Sequence, residues 1–336
     1  MKIKKILLVG SFSNNHKYFY SNSFYNKLVK LGYVVEKFNY RKKYFYIFNN
    51  YLVNLFLIKV TKQFKPDLIF LIKAENIYSK TIKILKNKNI LLVNFYPDNI
   101  FTFWNGNSNR EVLLSLPYYD CFLSWAKFLE IPLKSAGAKN VYYFSFAYDK
   151  DVYEKDIILS EQDKIIYSSD VCFVGTWDKE REVWLTNILK DMSQLNLAIW
   201  GNMWLEYLPK NSILRPKIRG NAIYKDELIK VFNLSKIVLN FIREQNITSH
   251  NMRTLEVPAT KSFLLTERTI EQANFLFKEG ESIECFSSVE ELCDKIKFYL
   301  NNNVKREEII ANSYNNVQKF ELEIVLKTFM EYIQSI

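Results

Sequence analysis

The sequence predicts an α/β protein with two doubly wound parallel sheets, one in each half of the chain. Short apolar runs alternate with segments of helical periodicity from end to end, which is the order of elements in parallel sheets with crossover helices. A chain of 336 residues is long enough for two domains of ordinary size. Hydrophobic residues make up 49% of the sequence, which fills two cores and excludes a disordered chain.

In the first half, buried-looking strands end in glycine or polar loops and lead into helices. Residues 6–9 form the first strand, which Gly10 closes, and the helix at 20–31 ends at Gly32. Further strands are predicted at 33–38, 67–72, 90–96, 119–124 and 141–146, and further helices at 44–65, 77–87 and 127–136. Because Gly10 stands alone, without a Gly-x-Gly-x-x-Gly pattern, the sequence does not support a dinucleotide site.

The second half repeats the alternation. Strands are predicted at 171–174, 197–200, 237–240, 263–266 and 282–286. Helices are predicted at 179–192, 224–234, 252–259, 289–301, 305–319 and, at the end of the chain, 322–333. The order again predicts a parallel sheet.

One stretch of the second half combines a polar loop, a helix start and a strand. Thr248, Ser249 and Asn251 are good N-cap residues, and a helix start offers unpaired N–H groups that suit a phosphate. Arg253 adds a cation within the first turn, and Glu256, one turn on, is placed to accept two sugar hydroxyls. The pattern fits a nucleotide site, and it equally fits an ordinary capped helix with a surface Arg and Glu.

The same stretch resembles a known family. Arg253, Glu256 and the Phe-Leu-Leu-Thr-Glu run at 263–267 are similar to the C-terminal motif of CgeB-like, spore-maturation-protein-like glycosyltransferases. Residues 171–176 resemble the strand and loop that open that domain, and the similarity covers 168–318 well and the first half only loosely. It implies a GT-B glycosyltransferase, in which two Rossmann-like doubly wound domains face a central cleft and a nucleotide-activated sugar is the donor.

The resemblance also implies a domain organisation. Residues 1–150 are expected to form an N-terminal acceptor domain, 151–169 a linker, and 170–319 the nucleotide-sugar donor domain. Residues 320–336 are expected to form a helix that crosses back onto the N-terminal domain.

Glycosyl transfer from a nucleotide sugar requires that the charge on the leaving diphosphate be neutralised. The only Asp-x-Asp spacing, Asp149 and Asp151, falls at the predicted linker, so we expect neither metal nor other cofactor. GT-B enzymes use cations and a helix N-terminus instead. The residues assigned to the donor nucleotide are Glu256, Arg253, His250, Ser249, Asn251, Thr176, Lys179 and Arg181.

Two positions depart from the family pattern. Glu256 corresponds to the second member of a Glu-x7-Glu pair, and Thr248 stands where the first Glu is expected, which leaves the donor sugar and the stereochemistry open. Lys261 stands where relatives often carry glycine.

An inverting reaction needs a base in the first half. Asp98 directly follows a predicted strand, in an aromatic loop at 97–106, and is the first candidate. The loop is either an acceptor site or a plain turn around Pro97-Asp98-Asn99. His16, in the loop after the first strand, is the second candidate base.

Charge is unevenly distributed along the chain. Residues 1–150 hold 23 Lys and Arg against 8 Asp and Glu, a net charge of +15, whereas residues 151–336 hold 23 against 28, a net charge of −5. A basic half attracts an anionic membrane or an acidic glycan acceptor, or serves only solubility. No nucleic-acid-binding motif is present, so we expect no nucleic acid partner. The aromatic and basic helix at 44–65 suits either a membrane surface or core packing.

The cysteines and the N-terminus indicate a cytoplasmic protein. Cys121, Cys172, Cys285 and Cys293 show no disulfide or metal spacing. The apolar run at 6–9 is too short for a signal peptide, and no run of 18 apolar residues exists. We expect a cytoplasmic location, with the inner face of the membrane as the surface that a basic half would meet.

The sequence therefore predicts a metal-independent glycosyltransferase of cell-surface polysaccharide assembly. The expected partners are a nucleotide-sugar donor and a glycan, lipid-linked or protein-linked acceptor. A nucleotide-sugar 2-epimerase with the same fold, and a non-catalytic nucleotide- or glycan-binding protein, remain as alternatives.

Overall fold

A computed structural model of the chain describes residues 2–12, 20–41, 50–86, 90–102 and 110–335. The chain divides into unit 1, Met1–Ala147 with Leu322–Ile336, and unit 2, Tyr148–Glu321. Each unit is built on a six-stranded sheet in which every pair of neighbouring strands is parallel. The predicted α/β class with two doubly wound sheets is confirmed.

The sheet of unit 1 has the strand order β2-β1-β3-β4-β5-β6. Its strands are β1 (Lys5–Gly10), β2 (Val34–Asn39), β3 (Leu68–Ile72), β4 (Leu91–Tyr96), β5 (Cys121–Ser124) and β6 (Val141–Tyr143). Its helices before unit 2 are α1 (Tyr20–Lys30), α2 (Tyr51–Phe64), α3 (Ser79–Lys86), α4 (Arg110–Ser115) and α5 (Glu130–Ser135). The central strand β3 reads Leu-Ile-Phe-Leu-Ile and is buried throughout, as expected of a strand covered on both faces.

The strand order determines which face of the sheet each helix covers. The connection from β1 to β2 runs one way along the sheet, and the later connections run the other way. Because parallel crossovers are right-handed, α1 covers one face and α2 to α5 cover the other. On that second face α2 packs against α3, and α3 packs against α4.

The sheet of unit 2 has the strand order β12-β11-β10-β7-β8-β9. Its strands are β7 (Ser169–Val174), β8 (Leu197–Trp200), β9 (Ile218–Gly220), β10 (Ser235–Asn240), β11 (Leu264–Glu267) and β12 (Glu284–Phe286). Its helices are α6 (Lys150–Tyr153), α7 (Glu161–Tyr167), α8 (Lys179–Asp191), α9 (Trp204–Tyr207), α10 (Lys225–Asn233), α11 (Arg253–Ala259), α12 (Val289–Asn301) and α13 (Asn303–Val317), with a π-helical segment at Gln272–Leu276.

Two features of unit 2 differ from the sequence prediction. The edge strand β9 was missed because it has only three residues, with Arg219 at its centre, and so shows no apolar run. The segment 151–169, expected to be a linker, contains most of α6 and all of α7 and belongs to unit 2. Helix α7 starts with a capping box in which the side chains of Ser160 and Asp163 each accept from the other's backbone N–H.

The last helix, α14 (Leu322–Ser335), belongs to unit 1 and packs against α1. The ring centroid of Phe329 lies 5.8 Å from that of Phe70 in β3 and 5.3 Å from that of Tyr142 in β6. Lys30 of α1 pairs with Glu323 at 2.6 Å. The chain therefore returns to unit 1 at its end.

The helix predicted at 44–65 is present from Tyr51 to Phe64, and residues 44–49 lie outside the described residues. Of the helices in the part of the chain that the structure describes, none has both the length and the apolar character needed to span a membrane.

Candidate functional site

Unit 2 has one topological switch point. Strands β7 and β10 are neighbours, and the connection after β7 runs to β8 whereas the connection after β10 runs to β11, toward the opposite edge of the sheet. In open parallel sheets, ligands bind in the crevice at the carboxyl ends of the strands where this reversal occurs. The site is therefore expected where the loops that follow β7 and β10 meet.

The loop after β7 is held tightly against the loop after β8. The indole Nε1 of Trp204 donates to the carbonyl oxygen of Gly175 at 2.8 Å. A Cβ on Gly201 would lie 1.9 Å from the same carbonyl oxygen, so only glycine fits there. Asp178 then caps α8 by accepting from the backbone N–H of Arg181 at 3.0 Å.

Arg181 is the best-anchored cation of this loop. Its Nη1 donates to the carbonyl oxygen of Thr176 at 2.8 Å, and its Nε lies 3.2 Å from Asp178 Oδ2. Burial lowers the pKa of Arg181 to about 10; Asp178 opposes that shift, and the charges of Arg243 and Arg253 add to it. The guanidinium therefore stays protonated at neutral pH. Because the charges of Arg243 and Arg253 act on Arg181, the three arginines lie in one region. We call Arg181, Arg243 and Arg253 the arginine cluster.

Carboxylates accompany the arginine cluster. Arg243, which follows β10, has its Nε 4.0 Å from Asp178 Oδ2. Glu267, at the end of β11, accepts from the backbone N–H of Ile242 at 2.9 Å. Burial raises the pKa of Glu267, and the nearby charge of Glu180 raises it further. These groups are partly withdrawn from water, where charge–charge interactions are stronger than in bulk solvent.

Arg253 and Glu256 lie next to each other on α11. The Glu256 carboxylate is 3% exposed; its Oε2 is paired with Arg253 Nη1, and its Oε1 accepts from the hydroxyl of Tyr153 at 2.5 Å. The Arg253 guanidinium lies 5.4 Å from the ring centroid of Phe232, and its buried Nε has no hydrogen-bond partner among the described residues. Burial lowers the pKa of Arg253, but Glu256 and Tyr153 outweigh that effect and raise it. The two residues expected to hold phosphate and ribose therefore form an ion pair with each other.

The expected N-cap residues do not cap this helix. Helix α11 begins at Arg253 with Met252 in the N-cap position, and no side chain caps it. The prediction that Thr248, Ser249 or Asn251 provides the cap is therefore wrong. The side chain of Asn251 donates instead to Asn240 Oδ1 at 2.9 Å, because the preceding loop turns back onto the end of β10.

His250 and Ser249, which the sequence assigns to the donor nucleotide, are buried. Both are 0% exposed, and Ser249 Oγ lies 3.1 Å from His250 Nδ1. The same ring nitrogen lies 3.3 Å from Glu271 Oε1. The side chains of Ser249 and Glu271 therefore both contact Nδ1 of His250 inside unit 2, and the structure does not show His250 or Ser249 facing a ligand.

The other predicted site residues are distributed unevenly. Lys179 points to solvent, with 73% of its side chain exposed, and pairs with Glu182 at 2.9 Å. Thr176 contributes its carbonyl oxygen, to Arg181, as described above. Asp98 follows β4 in unit 1 as predicted, with Oδ2 2.8 Å from Lys73 Nζ. His16 lies outside the described residues.

Comparisons with known proteins match this architecture. Residues 181–322 match a family model described as glycosyl transferase-like. A sucrose-phosphate synthase from Thermosynechococcus elongatus superimposes with a TM-score of 0.73 at 12% identity, covering 98% of each chain. The chain has the GT-B fold.

Two further GT-B structures are similar over the whole chain. Anabaena HepE, solved with UDP and glucose, gives a TM-score of 0.69 at 11% identity and covers 100% of both chains. A putative UDP-N-acetylglucosamine 2-epimerase from Listeria monocytogenes gives 0.61 at 9% identity, covering 100% of this chain and 98% of that one. No curated protein matches the sequence.

Sequence reasoning missed two residues of this candidate site. Tyr153 lies on α6, and nothing in the sequence pattern indicates that its hydroxyl reaches Glu256. Arg243 follows β10 by three residues, at the carboxyl edge of the sheet, and that position was the available signal. Within the described ranges, no group of three or more His, Cys, Asp or Glu side chains is arranged to hold a metal ion. The expectation of metal-free chemistry stays a prediction.

Proposed function

We propose that this GT-B protein is a glycosyltransferase that moves a sugar from a nucleotide-sugar donor, without a metal ion, to a glycan, lipid-linked or protein-linked acceptor. The observation that carries the proposal is the arginine cluster beside the buried Glu256 at the carboxyl edge of the unit 2 sheet. The family-model match over 181–322 supports sugar transfer, and the UDP in HepE supports a uridine diphosphate donor. We extend the proposal to cell-surface polysaccharide assembly on the cytoplasmic side of the membrane.

In the proposed reaction the bond from the anomeric carbon to the diphosphate oxygen breaks, and the diphosphate leaves with the electron pair. The acceptor hydroxyl forms the new glycosidic bond and loses its proton. The arginine cluster stabilises the departing diphosphate, since an arginine binds phosphate oxygens bidentately. Each charge-assisted contact contributes about 1.5–3 kcal/mol, so two or three supply a useful share of a barrier reduction of about 8 kcal/mol or more. For an inverting reaction, Asp98 of unit 1 is our candidate base.

Glu256 retains acceptor capacity for a ribose. A carboxylate offers about four acceptor sites, and Arg253 and Tyr153 occupy one on each oxygen. The remaining sites suit the two ribose hydroxyls. In this proposal Arg253 holds the carboxylate in place and contributes positive charge toward the diphosphate.

The test is a cycle that pairs Glu256→Gln with removal of the ribose hydroxyls. Gln keeps the size of the side chain and an oxygen that accepts from Tyr153. Isothermal titration is carried out with UDP and with 2′,3′-dideoxy-UDP on both proteins. Loss of charge-assisted contacts worth about 1.5–3 kcal/mol weakens UDP binding roughly 10- to 150-fold. The substitution leaves the weaker binding of dideoxy-UDP almost unchanged. If Glu256→Gln weakens both nucleotides equally, the ribose role is wrong.

Metal independence has its own assay. We expect donor hydrolysis, and transfer once an acceptor is found, to continue in EDTA. Loss of turnover in the chelator with recovery on adding manganese would reverse this part of the proposal.

A nucleotide-sugar epimerase is the second candidate, because a putative 2-epimerase shares the fold over the full chain. An epimerase changes the donor sugar without an acceptor and leaves the nucleotide attached. Among the described residues the single histidine, His250, is buried against Ser249 and Glu271, which favours transfer over proton abstraction from a sugar carbon. Chromatography of the products separates the two reactions.

A further inference from the structure

Five of the basic residues of unit 1 lie in two neighbouring helices. The unit holds 23 Lys and Arg against 9 Asp and Glu. Helix α2 contributes two lysines and α3 contributes three, and neither contains an acidic residue. The two helices lie side by side on the same face of the sheet. These five lysines therefore lie on one local part of the unit.

The helical spacing separates a buried side from an outer side. In α2 the inward positions include Val53, Leu57 and Thr61, and in α3 they include Ile82 and Leu85. The outward positions of the two helices form what we call the lysine face: Tyr51, Leu55, Lys59 and Lys62 of α2, and Lys80, Lys83 and Ile84 of α3.

Apolar and cationic side chains are mixed on the lysine face. Tyr51 is 61% exposed, Leu55 45% and Ile84 46%. Over the ranges that the structure describes, none of its four lysines forms an ion pair with an acidic side chain. The fifth lysine, Lys86, is paired with Asp120 and is not part of the face. Core packing therefore uses one side of each helix and leaves apolar groups among uncompensated cations on the other.

We propose that the lysine face binds the surface of an anionic lipid bilayer. Apolar side chains on an amphipathic helix insert at the boundary between headgroups and acyl chains, while lysine stems reach the phosphates. A nucleic acid or an acidic glycan satisfies the lysines but leaves Leu55 and Ile84 without a partner. The lipid surface accounts for both kinds of side chain.

Vesicle sedimentation at low salt measures this binding directly. The full chain is mixed with vesicles of equimolar phosphatidylcholine and phosphatidylglycerol, or of phosphatidylcholine alone. Each lysine near an anionic surface contributes about 1 kcal/mol, which is about a fivefold change in partitioning. Lys59→Gln with Lys62→Gln is therefore expected to lower partitioning roughly 30-fold. Leu55→Ser with Ile84→Ser also lowers partitioning to the vesicles, because the apolar side chains that insert into the bilayer are lost.

A matched pair in unit 2 controls for net charge. Lys190 and Lys210 are exposed, and replacing both by Gln changes the charge equally. We expect this control to bind as the unchanged protein does. The proposal is overturned if the control pair loses as much affinity, if the lysine-face pair loses none, or if phosphatidylcholine alone binds equally well. Retention of an oligonucleotide or acidic polysaccharide, without vesicle binding, would also overturn it. The assay uses neither donor nor acceptor, so its result is independent of the proposed glycosyl transfer.

Discussion

Replacing Tyr153 by Phe tests the hydrogen bond that fixes Glu256. The tyrosine is 4% exposed and the glutamate 3%, and 2.5 Å separates the two oxygens, so no water replaces the lost hydroxyl without rearrangement. Hydrogen bonds to charged groups contribute about 1.5–3 kcal/mol, and we expect the free energy of unfolding of unit 2 to fall by about that amount. The Kd for UDP also rises, because the carboxylate is no longer held in one orientation.

Urea unfolding followed by tryptophan fluorescence is the assay, since four of the six tryptophans lie in unit 2. Tyr224→Phe is the control, because Tyr224 is 38% exposed and its hydroxyl has no hydrogen bond to a described residue. The control should change the free energy by less than about 0.5 kcal/mol. If Tyr153→Phe changes it no more than the control does, the contact with Glu256 contributes nothing and the argument for a fixed carboxylate fails.

Two further predictions concern stability. The Arg268 guanidinium lowers the pKa of Glu291 to about 2, so the folded protein keeps this carboxylate ionised at lower pH than the unfolded chain does. Its stabilising contribution is complete above the unfolded value of about 4.3 and is lost as the pH falls toward about 2. Glu291→Gln therefore lowers the free energy of unfolding by about 1 kcal/mol at pH 7, a value reduced because the side chain is partly exposed. The difference in free energy of unfolding between the variant and the unchanged protein disappears in acid. Lys261 has a φ of 56°, in the left-handed region that favours glycine, so we expect Lys261→Gly to be more stable than Lys261→Ala by about 1 kcal/mol in urea unfolding.

Both stability predictions carry an internal control. Lys261→Gly and Lys261→Ala lose the same contact with the Tyr314 ring, so their difference reports the backbone alone. Equal stability, or a better alanine variant, would contradict the argument. For Glu291→Gln, a gap that stays constant between pH 7 and about pH 3 would show that the carboxylate's charge is not responsible.

Local periodicity predicted most of the fold. Strands such as β3 are apolar throughout and bounded by turns, and helices such as α12 begin at a clear N-cap, Ser288. The short strand β9 was not predicted, because its pairing with β8, and not its composition, makes it a strand. The resemblance shows that relatives often carry glycine at the position of Lys261. The backbone explains that preference, because Lys261 has a positive φ that glycine adopts without strain.

The candidate site was harder to predict because its contacts join distant parts of the chain. Arg253 and Glu256 are three residues apart on a helix, and helical geometry makes them neighbours, as observed. Tyr153 and Glu256 are separated by 103 positions, and only the packing of α6 against α11 brings them together. The loop before α11 was assigned to phosphate binding from its polar residues and its place before a helix start. Its buried contacts with Glu271 and Asn240 depend on the fold of the whole unit.

The close approach at Gly201 makes the arginine cluster dependent on a position that carries no functional group. Any methyl group there would collide with the Gly175 carbonyl oxygen, which also accepts from Trp204, and would push away the loop that presents Arg181. Mutational surveys of this protein should therefore find that substitutions of Gly201 are not tolerated. Their effect should resemble that of losing a ligand-binding residue. A designer can vary the side chains around the crevice but has to leave that glycine in place.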